Sequence, residues 1–290
     1  MIERALLSTT IFLARTLPIV VLAVYLVSYS IKKGYMEKLA AAIGPALQKL
    51  GISEMAVVSV VTCFISPTAS YSILSQAWRE GKVDDREVIA ISFLNSFPSV
   101  FSHLYAFFIP FVLPVLGFAG VVYTAIRFAV AVVKSAVGLI LARKWNTGQS
   151  SGDAEIKPFS PGENVLRIAV IMAVTYFAVS LLSEYGAFEN ISLDFFPLNP
   201  SSLAIAGVEF FNVRAAVVLA AGFIDAGLSW KWAVVGLILG NVVSFSARAV
   251  KHSLPMHVSF FGKFGVKIVL LNSLVTLILD IFFLLLLIFI

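Results

Sequence analysis

Polar residues interrupt otherwise apolar sequence in four places, and the chemistry of this chain has to come from them. The first is Cys63-Phe-Ile-Ser66-Pro67-Thr68-Ala69-Ser70. Pro67 lacks a backbone donor and frees the carbonyl of Cys63 about one turn earlier. In hydrocarbon such a carbonyl must be satisfied by neighbours, water or a ligand. Ser66, Thr68 and Ser70 supply hydroxyls for either a self-patched kink or a binding break. The second interruption is Glu209-Phe-Phe-Asn212-Val213-Arg214-Ala215. A charged side chain at the centre of a span costs at least ~2.5 kcal/mol on insertion scales. Glu209 and Arg214 are five residues apart and miss the i,i+4 pairing distance of a helix. Unwinding at Asn212 would let them meet each other or grip a solute. The remaining two are Asn95-Ser96-Phe97-Pro98-Ser99 and Gly240-Asn241-Val-Val-Ser244-Phe-Ser246. Pro98 frees a carbonyl near Leu94, and the two amides can bond a ligand or glue helices together. The candidate solute-binding set is therefore Ser66, Thr68, Asn95, Ser96, Glu209, Asn212, Arg214, Asn241 and Ser244.

Other ionisable residues are set into apolar sequence as well. Arg127 and Lys134 are seven apart and share a helical face, so Arg127 needs a partner while Lys134 can pair or snorkel. Asp280 is a candidate partner for Lys134. His252 and His257 flank Leu254-Pro255, and neither they nor His103 have metal-ligand spacing. Cys63 is the only cysteine, which excludes an intrachain disulfide. No phosphate-binding glycine loop, zinc-protease helix or serine nucleophile elbow occurs. The expectation is a protein with no catalytic residue, no metal and no cofactor.

The elements that hold these residues follow from composition. The 290 residues are 60% apolar and 13% charged, about half the charge of an ordinary soluble domain, with mean hydropathy +0.98. A bilayer as solvent resolves that imbalance. A net charge of +5 would suggest nucleic acid in a soluble protein, but most Lys and Arg lie between apolar segments and suit lipid headgroups instead. Eight segments approach the roughly 20 apolar residues of a span: 5–30, 52–78, 87–112, 117–142, 165–184, 201–224, 232–250 and 264–290. The fold class is all-α, a polytopic transmembrane helical bundle. Residues 32–50 read as an interfacial amphipathic helix broken at Gly44-Pro45. A polar linker, 146–164, separates a first half, 1–145, from a second, 165–290.

A shift of about 146 residues superposes Ser66 on Asn212, Gly81 on Gly227 and Asn95 on Asn241. Paired interrupted helices of this kind build the binding sites of repeat-based transporters. Eight simple spans make the repeats parallel. One re-entrant segment per half, or an extra crossing in the Pro-rich stretch 108–116, makes them inverted. With eight simple spans, Arg4, Arg79, Lys82, Arg86, Arg143, Lys144, Lys157 and Arg167 fall on the side of both termini, which predicts cytoplasmic termini in the plasma membrane, while Lys32, Lys33, Lys38 and Lys49 fall on the opposite side.

Across 52–100 and 201–250 the chain resembles the nucleoside-recognition or Gate family, in the run Ser66-Pro67-Thr68, the Gly81 turn and the Asn95 segment, echoed by Asn212, Gly227 and Asn241. That group includes segments of concentrative nucleoside transporters, the membrane core of ferrous-iron transporters and spore-maturation membrane proteins. The resemblance implies a secondary permease for a small polar or charged solute. Its other implications are a divalent-cation permease, which Cys63 and Glu209 would suit, or a non-transporting scaffold or assembly subunit. The expected partners are the lipid bilayer, the solute and a possible second copy of the chain, with no nucleic acid.

Overall fold

In the computed structural model the described residues are 2–145, 198–245 and 253–290, with scattered positions between 166 and 181. The linker 146–164, part of the segment 165–184, His252 and Ser246 lie outside them. The described residues are helical, with no strand. Four of their helices are long and apolar enough to cross a membrane: Ile2–Leu22, Asp85–Leu116, Phe118–Lys144 and Lys263–Phe289.

The chain starts with α1 (Ile2–Lys32) and turns at Gly34 into α2 (Tyr35–Gln48). The expected break at Gly44-Pro45 is absent, because α2 continues through Pro45. Its partly buried Ile43 and Leu47 pack on the neighbouring core, and that burial compensates for the missing donor.

Residues 52–78 do not form one span. They form α3 (Glu54–Ile65) and α4 (Pro67–Arg79), separated by Ser66 in extended conformation, φ −148° and ψ 108°. The chain reverses there. The hydroxyls of Ser59 and Ser70 are 2.8 Å apart, whereas eleven residues of straight helix would separate them by about 16 Å. Pro67 sits at the first position of α4, where its missing N–H costs nothing, and Ser66 Oγ accepts from Ala69 N at 3.2 Å as the cap. The segment 201–224 breaks in the same way into α9 (Pro200–Phe211) and α10 (Val213–Asp225). Asn212 has φ −155° and ψ 109°, and its Oδ1 accepts from the amides of Arg214 and Ala215. With regular helix on both sides, the same dihedral pair imposes the same turn.

Between the hairpins lie α5 (Asp85–Leu94), α6 (Ser96–His103), a π-helix (Leu104–Val112) and α7 (Leu113–Leu116). They make one continuous apolar column, Asp85–Leu116, so the Pro-rich stretch adds no extra crossing. Pro110 cannot donate, and the ladder widens to i→i−5 bonds such as Leu113 N to Phe108 O. Gly117, at φ 56° and ψ −124°, turns the chain into α8 (Phe118–Lys144). Later come α11 (Trp230–Val243), α12 (Leu254–Phe261) and α13 (Lys263–Phe289). Gly262 joins the last two at φ 58° and ψ −138°, close to the backbone of Gly117. No residue with a Cβ adopts that region readily.

Two apolar cores hold the bundle, and each mixes the two halves of the chain. The first hairpin packs with α5 and with Phe261 and Ile268 of α12 and α13. The second packs with α11 and with Phe111, Val115 and Leu116 of the π-helix and α7. Arg214 on α10 lies over the rings of Phe107 and Phe111, 6.0 and 5.9 Å from their centroids.

Candidate functional site

The junction of α5 and α6 is the first point where polar groups converge. Asn95 is 1% exposed and caps α5. Its Nδ2 donates to Ser59 Oγ at 2.9 Å and Ser70 Oγ at 3.1 Å, one on each arm of the first hairpin. Ser70 Oγ donates onward to the Ser59 carbonyl at 2.8 Å. The Cys63 thiol donates to the Asn95 carbonyl at 3.5 Å. The amide thus ties both arms of the hairpin to the column beside them. Its Oδ1 is buried without a hydrogen-bond partner among the described residues, which is costly in a low-dielectric interior.

The backbone groups disturbed by proline find partners on neighbouring helices. The Leu94 carbonyl, freed by Pro98, accepts from Ser135 Oγ at 2.7 Å, and Ser135 Oγ in turn accepts from Phe97 N at 2.8 Å. This contact is possible because Gly138 brings α8 against α5, where a Cβ would come within 2.7 Å of Leu94 Cα. At the end of α3, the Tyr105 hydroxyl reaches the carbonyls of Phe64 at 2.9 Å and Ile65 at 3.2 Å.

A cavity of about 560 Å³ opens beside this junction. Its walls are the start of α4 (Pro67, Thr68, Tyr71), the α5–α6 column (Ser92, Asn95, Ser96, Ser99, His103), α8 (Arg127, Lys134), the start of α12 (Ser253, Met256, His257) and α13 (Asn272, Ser273, Thr276). A second cavity of about 190 Å³ shares Arg127, Lys134, Ser253, Asn272, Ser273 and Thr276 and adds Asn241 and Asp280. Asn241 Nδ2 donates to the Leu237 carbonyl at 3.1 Å and to the Tyr123 hydroxyl at 3.2 Å. Both cavities therefore have one charged wall in common.

That wall carries an ion pair and, beside it, a separate hydrogen-bond chain. Arg127 Nη1 donates to Asp280 Oδ1 at 2.6 Å in a pair that is 16% and 4% exposed. Asp280 thus belongs to Arg127 and not to Lys134, the partner expected from sequence. Lys134 Nζ donates to Thr276 Oγ1 at 2.9 Å, and Thr276 Oγ1 donates to the Asn272 carbonyl at 2.8 Å. Asn272 Nδ2 donates to Ser92 Oγ at 2.9 Å, returning to the α5 column. Asn272, Thr276 and Asp280 are spaced i, i+4, i+8 and form one stripe along α13. That stripe is legible in the sequence as a polar face, although Asn272, Ser273 and Thr276 are absent from the candidate set.

The nine expected site residues separate into three groups. Thr68, Asn95 and Ser96 line the larger cavity and Asn241 the smaller. Ser66 and Asn212 cap the second arms of their hairpins. Glu209, Arg214 and Ser244 line neither cavity. Glu209 is buried against Gly240, where any side chain would collide with it. Ser244 is buried at the end of α11, with its N–H on the Gly240 carbonyl at 2.8 Å.

Broken hairpins, long apolar columns and a polar cavity walled by buried ions define a polytopic helical membrane protein with an internal polar site. The chain belongs to the Gate family, described as nucleoside recognition, whose model matches residues 13–120. It is similar to three proteins of Methanocaldococcus jannaschii. Uncharacterized protein MJ0871 is 42% identical, over 91% of this chain and 89% of its own length. Uncharacterized protein MJ0880 is 25% identical, over 82% and 84%. Uncharacterized protein MJ1556 is 24% identical, over 94% of each. No solved structure matches the chain.

Proposed function

We propose that this protein is a secondary permease that carries a small polar solute through the cavity between the first hairpin, α8 and α13. The observation that supports this most is the cavity itself, about 560 Å³ and lined by hydroxyls, amides, histidines and two cations among long apolar helices. That volume suits a metabolite-sized solute. Groups of this kind within spans are expensive and are characteristic of solute or ion paths. The family's association with nucleoside recognition and membrane transport agrees with it.

In this reading the halves are two copies of one repeat. The matching backbone at Ser66 and Asn212, and at Gly117 and Gly262, supports that. The hairpins act as the moving parts, each seated against helices of the other half. The protein lies in the plasma membrane with cytoplasmic termini, and performs no covalent chemistry. A divalent cation is a poorer fit than an organic solute. Cys63 and Glu209 lie on different hairpins, and no cluster of three or more His, Cys, Asp or Glu among the described residues could hold a metal.

Cys63 gives a native test. It is fully buried in α3 beside the Asn95 carbonyl. A solute that stabilises the purified protein should change the rate of Cys63 alkylation several-fold, because alternating access must move the hairpin. An unchanged rate with a solute bound at saturation favours the scaffold reading over transport.

A further inference from the structure

Resting on the permease reading, we propose that the cavity takes a small organic anion that also carries a hydroxyl or amino donor, its charged end on Lys134 beside Arg127 and its donor on Asn95 Oδ1. The titratable groups on the two cavity walls are Arg127, Lys134, Asp280, His103, His257 and Tyr71. Asp280 is already engaged by Arg127 at 2.6 Å. Among the described residues the cavity linings therefore hold two cations against one carboxylate; Glu209 also acts on Arg127 but lines neither cavity, so the surplus lies on Lys134. Its ammonium is buried with one neutral acceptor, Thr276 Oγ1, and lies 6.0 Å from the Phe93 ring centroid. Lys134 has no carboxylate partner among the described residues. An ammonium has three donors, and a buried one without a counterion is far from its best state.

The histidines cannot supply the missing negative charge, because an imidazole is neutral or cationic. Each holds Nδ1 against a backbone carbonyl, His103 on Ser99 at 2.7 Å and His257 on Ser253 at 2.9 Å. A carbonyl can only accept, so Nδ1 carries the proton in the neutral ring. Asn95 adds the second requirement. Its Oδ1 is an acceptor with no donor among the described residues, on a residue 1% exposed that lines the same cavity. Chloride or sulfate, which have no donor, would satisfy Lys134 and leave Asn95 orphaned. A neutral polyol would do the reverse. A hydroxylated carboxylate or phosphate ester satisfies both.

The test is binding by the purified full-length protein in detergent, read by calorimetry and thermal shift. The probes are gluconate and uridine monophosphate, their neutral counterparts sorbitol and uridine, and acetate as an anion without a further donor. At least one of the hydroxylated anions should bind saturably, at least about tenfold tighter than its neutral counterpart and than acetate. Lys134→Gln should erase that preference, bringing the affinity of the anion down to about that of its neutral counterpart. The wild-type comparison alone decides the matter should that variant fold poorly. Equal or tighter binding of uridine or sorbitol overturns the anion assignment while leaving the permease reading in place. An anion preference that survives in Lys134→Gln overturns the role of Lys134. Failure of every probe, charged and neutral, overturns the anion assignment, and the permease reading is then decided separately by the alkylation of Cys63.

Discussion

The ions at the cavity wall have clear individual consequences. Replacing Asp280 by Asn leaves Arg127 buried without its carboxylate, and breaking one side of a buried pair costs about 3–5 kcal/mol. The unfolding midpoint of Asp280→Asn should fall sharply, and the double variant Arg127→Met with Asp280→Leu should recover much of that loss. Asn95 is expected to behave more mildly. Its Nδ2 serves two serines that already bond each other, so Asn95→Ala should cost about 1 kcal/mol by the same measurement. A solute that uses Asn95 Oδ1 should lose affinity in that variant by much more than its stability falls. At this scale the sequence was only partly readable. It shows that Arg127 and Asp280 need partners, but pairing depends on how α8 and α13 are set against each other. A single shift between repeats favoured Lys134, whereas the helix register delivers Arg127.

At the scale of elements, the positions of the breaks were legible and their direction was not. Pro67 and Asn212 mark where a helix cannot continue smoothly. Whether the chain then kinks or reverses depends on contacts eleven residues apart, such as Ser59 with Ser70. Local sequence does not carry that information, so 52–78 reads as one span and folds as a hairpin. The expected break at Gly44-Pro45 failed for a related reason, since burial of Ile43 and Leu47 outweighs the proline penalty. Close helix approach gives a sharper test. At Gly138 a Cβ meets the backbone of Leu94, while Gly207 in α9 has open space around it. Gly138→Ala should therefore destabilise by about 1–3 kcal/mol, as forced overpacking does. Gly207→Ala should stabilise by about 0.5–1 kcal/mol through helix propensity. Thermal unfolding of the two variants side by side should show opposite signs.

For the whole molecule, composition alone settled the solvent: 13% charge and long apolar runs leave little besides a bilayer. What composition could not supply is the mixing of halves, in which each hairpin packs on helices of the other and the cavity forms from α4, α6, α8 and α13 together. If that cavity is a solute path, water must reach it, and the side from which it does so must change. The direct measurement is labelling of single cysteines by a membrane-impermeant thiol reagent in oriented vesicles, in a Cys63→Ser background. The positions are Ser99→Cys and Ser273→Cys on the cavity wall and Val121→Cys, which is 53% exposed on the apolar outer face of α8. Labelling of both cavity positions from either side of the membrane, with Val121→Cys inert, is the expected result. Cavity positions as inert as Val121→Cys, from both sides, would contradict a solute path through this site.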